Sequence, residues 1–320
     1  MHGLYLSRKC PDLVELSREL LGLHSWFYRN VPFSALIRGA DIAGWKTELT
    51  KTWLYRGTLH GVAYDDLPQL LALHSDETYL SRVYGEEMLR QIADEVIRCL
   101  EDGINSRTAL RRVFSMNYEQ QVIDDIFSPW GGIFVRLARQ GRVAFRDMAS
   151  RDFDLIDAEP TQSPDEVLPE LLHRFFAAYG PTTLADAAWF FGFWNEGKKK
   201  LKTLDLGAFS RFDLDGSTYY YLEGGDMADI PELTLLSGFD PLIVSYAERS
   251  AILPAEYKSK VILKSGICNP TIAVDGRVAG LWNIKNGKPI VEFFRGQPKR
   301  IADAAQEMVD EICWRTAGRI

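Results

Sequence analysis

"EEMLRQIADEVIRCLEDGINSRTALRRVF" (residues 86–114), with "EQQVIDDIF" (119–127) and "WGGIFVRLARQGRVAFRDMASRDFDLID" (130–157) after it, carries the pattern that decides the fold. Met88, Ile92, Val96 and Leu100 recur at helical spacing, and Gly103 ends that run. Asn105 or Ser106 caps a second helix, and an apolar helix intervenes before a further one that holds Arg136 and Arg139 and closes at Gly141. "RVAFRD" and "FDLID" then read as short strands around the polar loop "MASR". Helices followed by a two-stranded wing form the winged variant of helix-turn-helix, whose third helix lies in or near a nucleic-acid groove.

The pattern repeats. "SPDEVLPELLHRFFAAYG" is a helix capped by Ser163, "PTTLADAAWFFGF" a second capped by Thr182 or Thr183, and "WNEGKKKLKTL" a third. "FSRFDLDGSTYYYLEG" is a hairpin turning at Asp215-Gly216. In both copies the third helix is the basic one, marked by Arg136 and Arg139 in the first and by Lys198, Lys199, Lys200 and Lys202 in the second. The N-terminal segment reads as a degenerate third copy, with helices at "DLVELSRELLG" and "VPFSALIRG" and a hairpin "KTWLYRGTLHGVAY" turned at Arg56-Gly57. From Leu233 the period changes to that of strands, with hairpin turns at Asp275-Gly276 and Asn286-Gly287, and an amphipathic helix closes the chain. The expected fold is α+β: winged-helix units over 1–80, 81–160 and 161–230, then a small antiparallel β-barrel with a closing helix over 231–320.

The totals fit an ordinary globular protein, with 46% apolar and 25% charged residues. No secretory leader or long apolar run stands out, so a cytoplasmic protein without a membrane partner is expected. Cys10, Cys99, Cys268 and Cys313 are too scattered for a zinc site or a disulfide framework and are read as reduced thiols, with no metal or cofactor. The net charge of −7 argues against a generic nucleic-acid coat, but it hides segregation. Residues 107–151 hold eight Arg against four acids, while 152–170 hold seven acids and no Lys or Arg, which suits a local anionic partner as well as two solvated faces.

Four segments in order, "TWLYRGTLHGV" (52–62), "AAYGPTTLADAAWFFG" (177–192), "LSGFDPLIVSYAERSAIL" (236–253) and "TIAVDGRVAGLW" (271–282), resemble the AlkZ-like (YcaQ) family of winged-helix DNA glycosylases. The resemblance implies three tandem winged helices around a small β-barrel with a surface that embraces DNA; damaged double-stranded DNA is the expected partner, and a monomer is expected. It also implies hydrolysis of the N-glycosidic bond of alkylated purines, including crosslinked bases. The family's catalytic element, Gln-x-Gln or Gln-x-Asp, follows the first helix. Here that place is Gly22-Leu23-His24-Ser25-Trp26, with His24 at the first Gln and Trp26 at the second Gln or Asp.

An N7-alkylated purine is cationic and already a good leaving group, so the protein's task is to position a water near C1′ and stabilise the developing oxocarbenium charge. A neutral imidazole can accept a proton from that water, which gives His24 a catalytic reading beside the plain one of a packed elbow. Trp26 offers an indole that donates but does not accept, suited to stacking or to plugging the site. Asp240 in "FDP" is a candidate for the missing carboxylate or an Asx-turn before Pro241. Arg56, His60, Arg136, Arg139, Lys198, Lys199, Lys200 and Arg249 are the candidate DNA contacts. For Arg249, with Tyr246, an internal polar pair is the other reading, and Trp189 and Trp194 read as core residues at helical spacing.

Overall fold

A computed structural model describes residues 3–74, 78–223 and 229–320, apart from the side chain of Glu196. The chain divides into two compact units, one made of residues 46–169 and the other of 1–45 with 170–320. The architecture is α+β.

The 46–169 unit opens with the hairpin Thr50–Trp53 and Leu59–Val62, in which Arg56 and Gly57 at the turn both have positive φ. The helices Glu86–Glu101, Arg107–Phe114, Gln120–Ile126 and Ile133–Arg139 follow where the periodicity places them, then the antiparallel strands Val143–Phe145 and Phe153–Leu155. Ser106 is the cap of the second helix, its hydroxyl accepting from Ala109 N–H at 3.2 Å. The core is aromatic: Phe134 lies flat on Phe153 with ring centroids 3.7 Å apart, and Trp53, Phe114 and Phe127 close around them.

In the other unit the helices Pro164–Tyr179 (which begins just before its boundary), Leu184–Phe191 and Asn195–Leu201 precede the hairpin Ser210–Leu214 and Ser217–Tyr221. Thr183 and Asp186 form a reciprocal capping box. Asp215-Gly216, Asp275-Gly276 and Asn286-Gly287 all carry positive φ at both residues, the conformation that two-residue hairpin turns demand.

The expected barrel is not closed. The strands Leu233–Leu236, Thr271–Val274, Arg277–Lys285 and Lys288–Phe293 pair in simple order as an open antiparallel sheet. Four strands are too few to curl back on themselves, and the helix Lys299–Thr316 covers the sheet instead. Val278, Gly280, Trp282 and Ile284 point inward at alternate positions, and the helix buries Ile301, Ala305, Val309 and Ile312. Trp282 anchors the arrangement, its indole N–H donating to Leu236 O at 2.9 Å and its ring meeting Phe33. All four cysteines are free thiols. Among the described residues no helix is long and apolar enough to cross a membrane.

Candidate functional site

The helix Leu13–Glu19 ends in a tight backbone lock. Leu21, at φ 56°, donates to Arg18 O at 3.2 Å, and Gly22, at φ 108°, donates to Ser17 O at 2.8 Å. These two bonds are the Schellman pattern, with Leu21 at the left-handed position and Gly22 the residue after it. The chain then enters the short strand Leu23–His24. His24 is buried and lies flat on Phe239, with ring centroids 4.2 Å apart and planes 7° apart. Its Nδ1 accepts from the Trp26 backbone N–H at 3.4 Å. In the neutral ring that bond leaves the proton on Nε2, so the ring's other edge donates. Trp26 is half-buried, and Phe27 and Tyr28 beyond it are exposed.

Phe239 belongs to a loop that buried charge holds in place. Arg38 and Asp240 are both wholly buried, with Arg38 Nη1 and Nη2 donating to the two Asp240 carboxylate oxygens at 3.0 and 2.9 Å. Asp240 also accepts from Ser237 N–H and hydroxyl and from Leu242 N–H, capping the short helix Pro241–Val244. Arg38 donates further to Leu4 O and to the Ser34 hydroxyl. The carboxylate is therefore committed inside the fold, where it sets the loop that carries Phe239, itself at φ 55°.

Sequence reasoning missed Asn30. Its side chain is buried beside the same loop, so close that a Cβ on Gly238 would come within 3.0 Å of Asn30 Oδ1. Its Nδ2 has no hydrogen-bond partner among the described residues. A buried amide with an unused donor is a costly feature, and its cost is the signal that could have drawn attention to it.

Other predicted residues fall into separate settings. Arg249 donates to Tyr246 O at 2.8 Å and lies over Trp189, while the Tyr246 hydroxyl donates to Tyr179 O, so this pair sits in internal contacts. Trp189 is tied to Val244 O by its indole N–H, but Trp194, expected in the core, is 68% exposed because it lies beyond the left-handed stop at Gly192. Lys198 and Lys199 are exposed and Lys200 half-buried along the helix that Trp194 opens.

On the 46–169 unit, Arg56 lies at the hairpin turn and His60 is buried, its Nδ1 paired with Thr58 O at 3.1 Å. Burial, assisted by Arg56, pushes the His60 pKa down to about 3, so the ring is neutral and inward-facing. Arg136 is buried with Nη1 2.8 Å from Glu86 Oε2, an ion pair lacking hydrogen-bond alignment. Arg136 and Arg139 line one cavity of about 520 Å3, together with His74, Arg90 and Arg142. Lys51 is a buried amine lowered to about 8 by desolvation, but it donates to Met148 O and Ser150 O and lies over Phe145, contacts that hold it as a packing residue. Among the described residues no three His, Cys, Asp or Glu side chains gather as a metal site would require.

A sequence model of the family described as "DNA glycosylase AlkZ-like" matches residues 45–310. The chain belongs to the AlkZ-like family of DNA glycosylases. An interstrand DNA cross-link repair glycosylase of Streptomyces sahachiroi is 26% identical over 279 residues, covering 77% of this chain and 73% of the relative. The solved structure of Streptomyces sahachiroi DNA glycosylase AlkZ shares the fold, with a TM-score of 0.76 at 21% identity over 98% of this chain and 96% of that one. The stretch holding His24 precedes the residues matched by the AlkZ-like model.

Proposed function

We propose that the protein is a monomeric, cytoplasmic DNA glycosylase that hydrolyses the N-glycosidic bond of alkylated purines in duplex DNA. Membership of the AlkZ-like family carries this reading, and the S. sahachiroi relative named for cross-link repair points to bulky or crosslinked lesions as part of the range. The helix-and-hairpin units, read as winged helices, supply the DNA-facing scaffold, with the Lys198–Lys200 helix and Arg139 as backbone contacts.

In the reaction a water attacks C1′, the C1′–N9 bond breaks, the bonding pair discharges the cationic purine, and the water's surplus proton passes to solvent. His24, with its proton on Nε2, orients the site as a donor. The Asn30 carboxamide provides the amide that the family takes from Gln, its Oδ1 accepting from the attacking water. Asp240 serves as a positioning residue through Phe239.

The test is abasic-site formation on a duplex containing N7-methylguanine. His24→Ala and Asn30→Ala should each slow release roughly 100-fold, whereas His24→Gln, which brings back the family's amide, should retain it. Wild-type rates in both alanine variants would remove these residues from the mechanism. One arrangement favours a second reading, a lesion-binding protein without chemistry: the only carboxylate of the 237–240 loop is consumed by Arg38, and Phe239 covers a face of His24. Tight binding of alkylated duplexes with no base release would select that reading.

A further inference from the structure

On the 46–169 unit two concavities share Arg139. The first, of about 520 Å3, is lined by Arg90, Arg136, Arg139 and Arg142 with Asp94 and Glu159 among the described residues, and Arg90 and Arg136 also pair with Glu87 at 2.7 Å and Glu86 at 2.8 Å. The pairs Arg90–Asp94 at 3.6 Å and Arg142–Glu159 at 3.5 Å are solvent-exposed, and such pairs exchange readily for a phosphate. His74 also lines this cavity, while its Nε2 is buried and has no hydrogen-bond partner among the described residues.

The second concavity, of about 440 Å3, is built around Tyr79 and Trp130, with Arg82 and Arg139 beside them. The two rings are 72% and 71% exposed. They are nonetheless carried on fixed backbone. Tyr79 follows the Thr78–Ser81 capping box, and Trp130 precedes Gly131 and Gly132, both at positive φ. A Cβ on Gly132 would meet Ile126 O at 2.1 Å, so that turn admits only glycine. Among the described residues the single carboxylate in this groove, Asp125, already accepts from the Tyr84 hydroxyl at 2.6 Å and from Gln121 at 3.2 Å.

We propose that the two concavities form one track for an unpaired DNA strand, with bases stacked on Trp130 and Tyr79 and phosphates received by the arginines around Arg139. The proposal rests on the DNA-binding reading and deepens it by naming the form of DNA. Exposed aromatics beside a row of arginines match single strands, because every unpaired base offers a π-face, whereas a duplex keeps those faces stacked inside. A strand of this kind arises wherever a lesion disrupts pairing.

The experiment measures binding of the full chain to a fluorescent oligothymidylate of about ten nucleotides and to an unmodified duplex. Trp130→Ala and Tyr79→Ala should each weaken oligothymidylate binding about tenfold, with Trp130→Phe close to wild type and duplex binding unchanged. Both rings are exposed, so the variants keep the wild-type melting temperature. The proposal is overturned if the alanine variants bind oligothymidylate like wild type, if duplex binding falls equally, or if wild type does not bind the single strand. Failure on the single strand with retained binding or processing of alkylated duplex sinks this inference alone. Failure on every DNA sinks the glycosylase reading with it.

Discussion

Replacing Asp240 by Asn separates structure from chemistry at the loop beneath His24. The Arg38 and Asp240 side chains are wholly buried and joined by two hydrogen bonds at 3.0 and 2.9 Å. Removing the charge of one partner strands the other in a low-dielectric interior, at a cost of about 3–5 kcal/mol. For a unit of about 200 residues, each kcal/mol moves the melting temperature by roughly 2–4 °C, so Asp240→Asn and Arg38→Met should each lower it by roughly 6–20 °C. The double change Arg38→Met with Asp240→Leu buries no charge. It loses the cap on Pro241–Val244, worth about 1 kcal/mol, and should recover most of the loss. Thermal unfolding followed by circular dichroism reads all four proteins, and base release is measured well below every transition. A direct catalytic role for Asp240 would instead lower release in Asp240→Asn without moving its melting temperature. That outcome, or a double variant no more stable than Arg38→Met alone, refutes the reasoning.

Two further predictions concern histidines. Burial lowers His60 and His74 to about 3, below the ordinary value of 6.5, so both fold neutral. The stability they confer is complete above about 6.5 and is lost as pH falls from there towards 3, at about 1.4 kcal/mol for each pH unit crossed. His60 should dominate, since its side chain is buried whereas His74 is only half-buried. Urea midpoints at pH 7 and pH 4.5 check this, and His60→Gln with an unaltered pH dependence would contradict it. For His24, the Trp26 N–H bond to Nδ1 predicts the Nε2–H tautomer, readable from imidazole 15N shifts, and an Nδ1–H ring would count against the donor role.

Much of the fold was legible because local chemistry and tertiary packing agree. The caps at Ser106 and Thr183 and the Asp-Gly and Asn-Gly turns fall at the residues whose side chains or φ preferences demand them. What failed depended on contacts distant in sequence. Strand spacing after Leu233 cannot report whether a sheet closes, since closure depends on strand number and on what covers the face, here the helix Lys299–Thr316. Trp194 carries the helical spacing of a core residue, but Gly192 ends the helix before it. Asp240 looked available because its partner, Arg38, lies 202 residues away.

Asn30 exposes the same limit from the other side. Read in sequence it is a polar residue opening the helix Asn30–Ile37, and helix starts favour Asn for reasons unrelated to catalysis. The structure buries it, leaves its Nδ2 unused and sets its Oδ1 against the Gly238 backbone, one residue from the ring stacked on His24. The family motif supplies amide or carboxylate groups a few residues after the first helix, and what the reaction needs is an acceptor for a water, whichever residue bears it. His24, whose Nδ1 is engaged by the Trp26 N–H, and Trp26, unable to accept, do not offer that acceptor in this arrangement. The Asn30 carboxamide carries an acceptor, Oδ1, so the proposal that chemistry is retained despite the departure at His24 and Trp26 rests on Asn30.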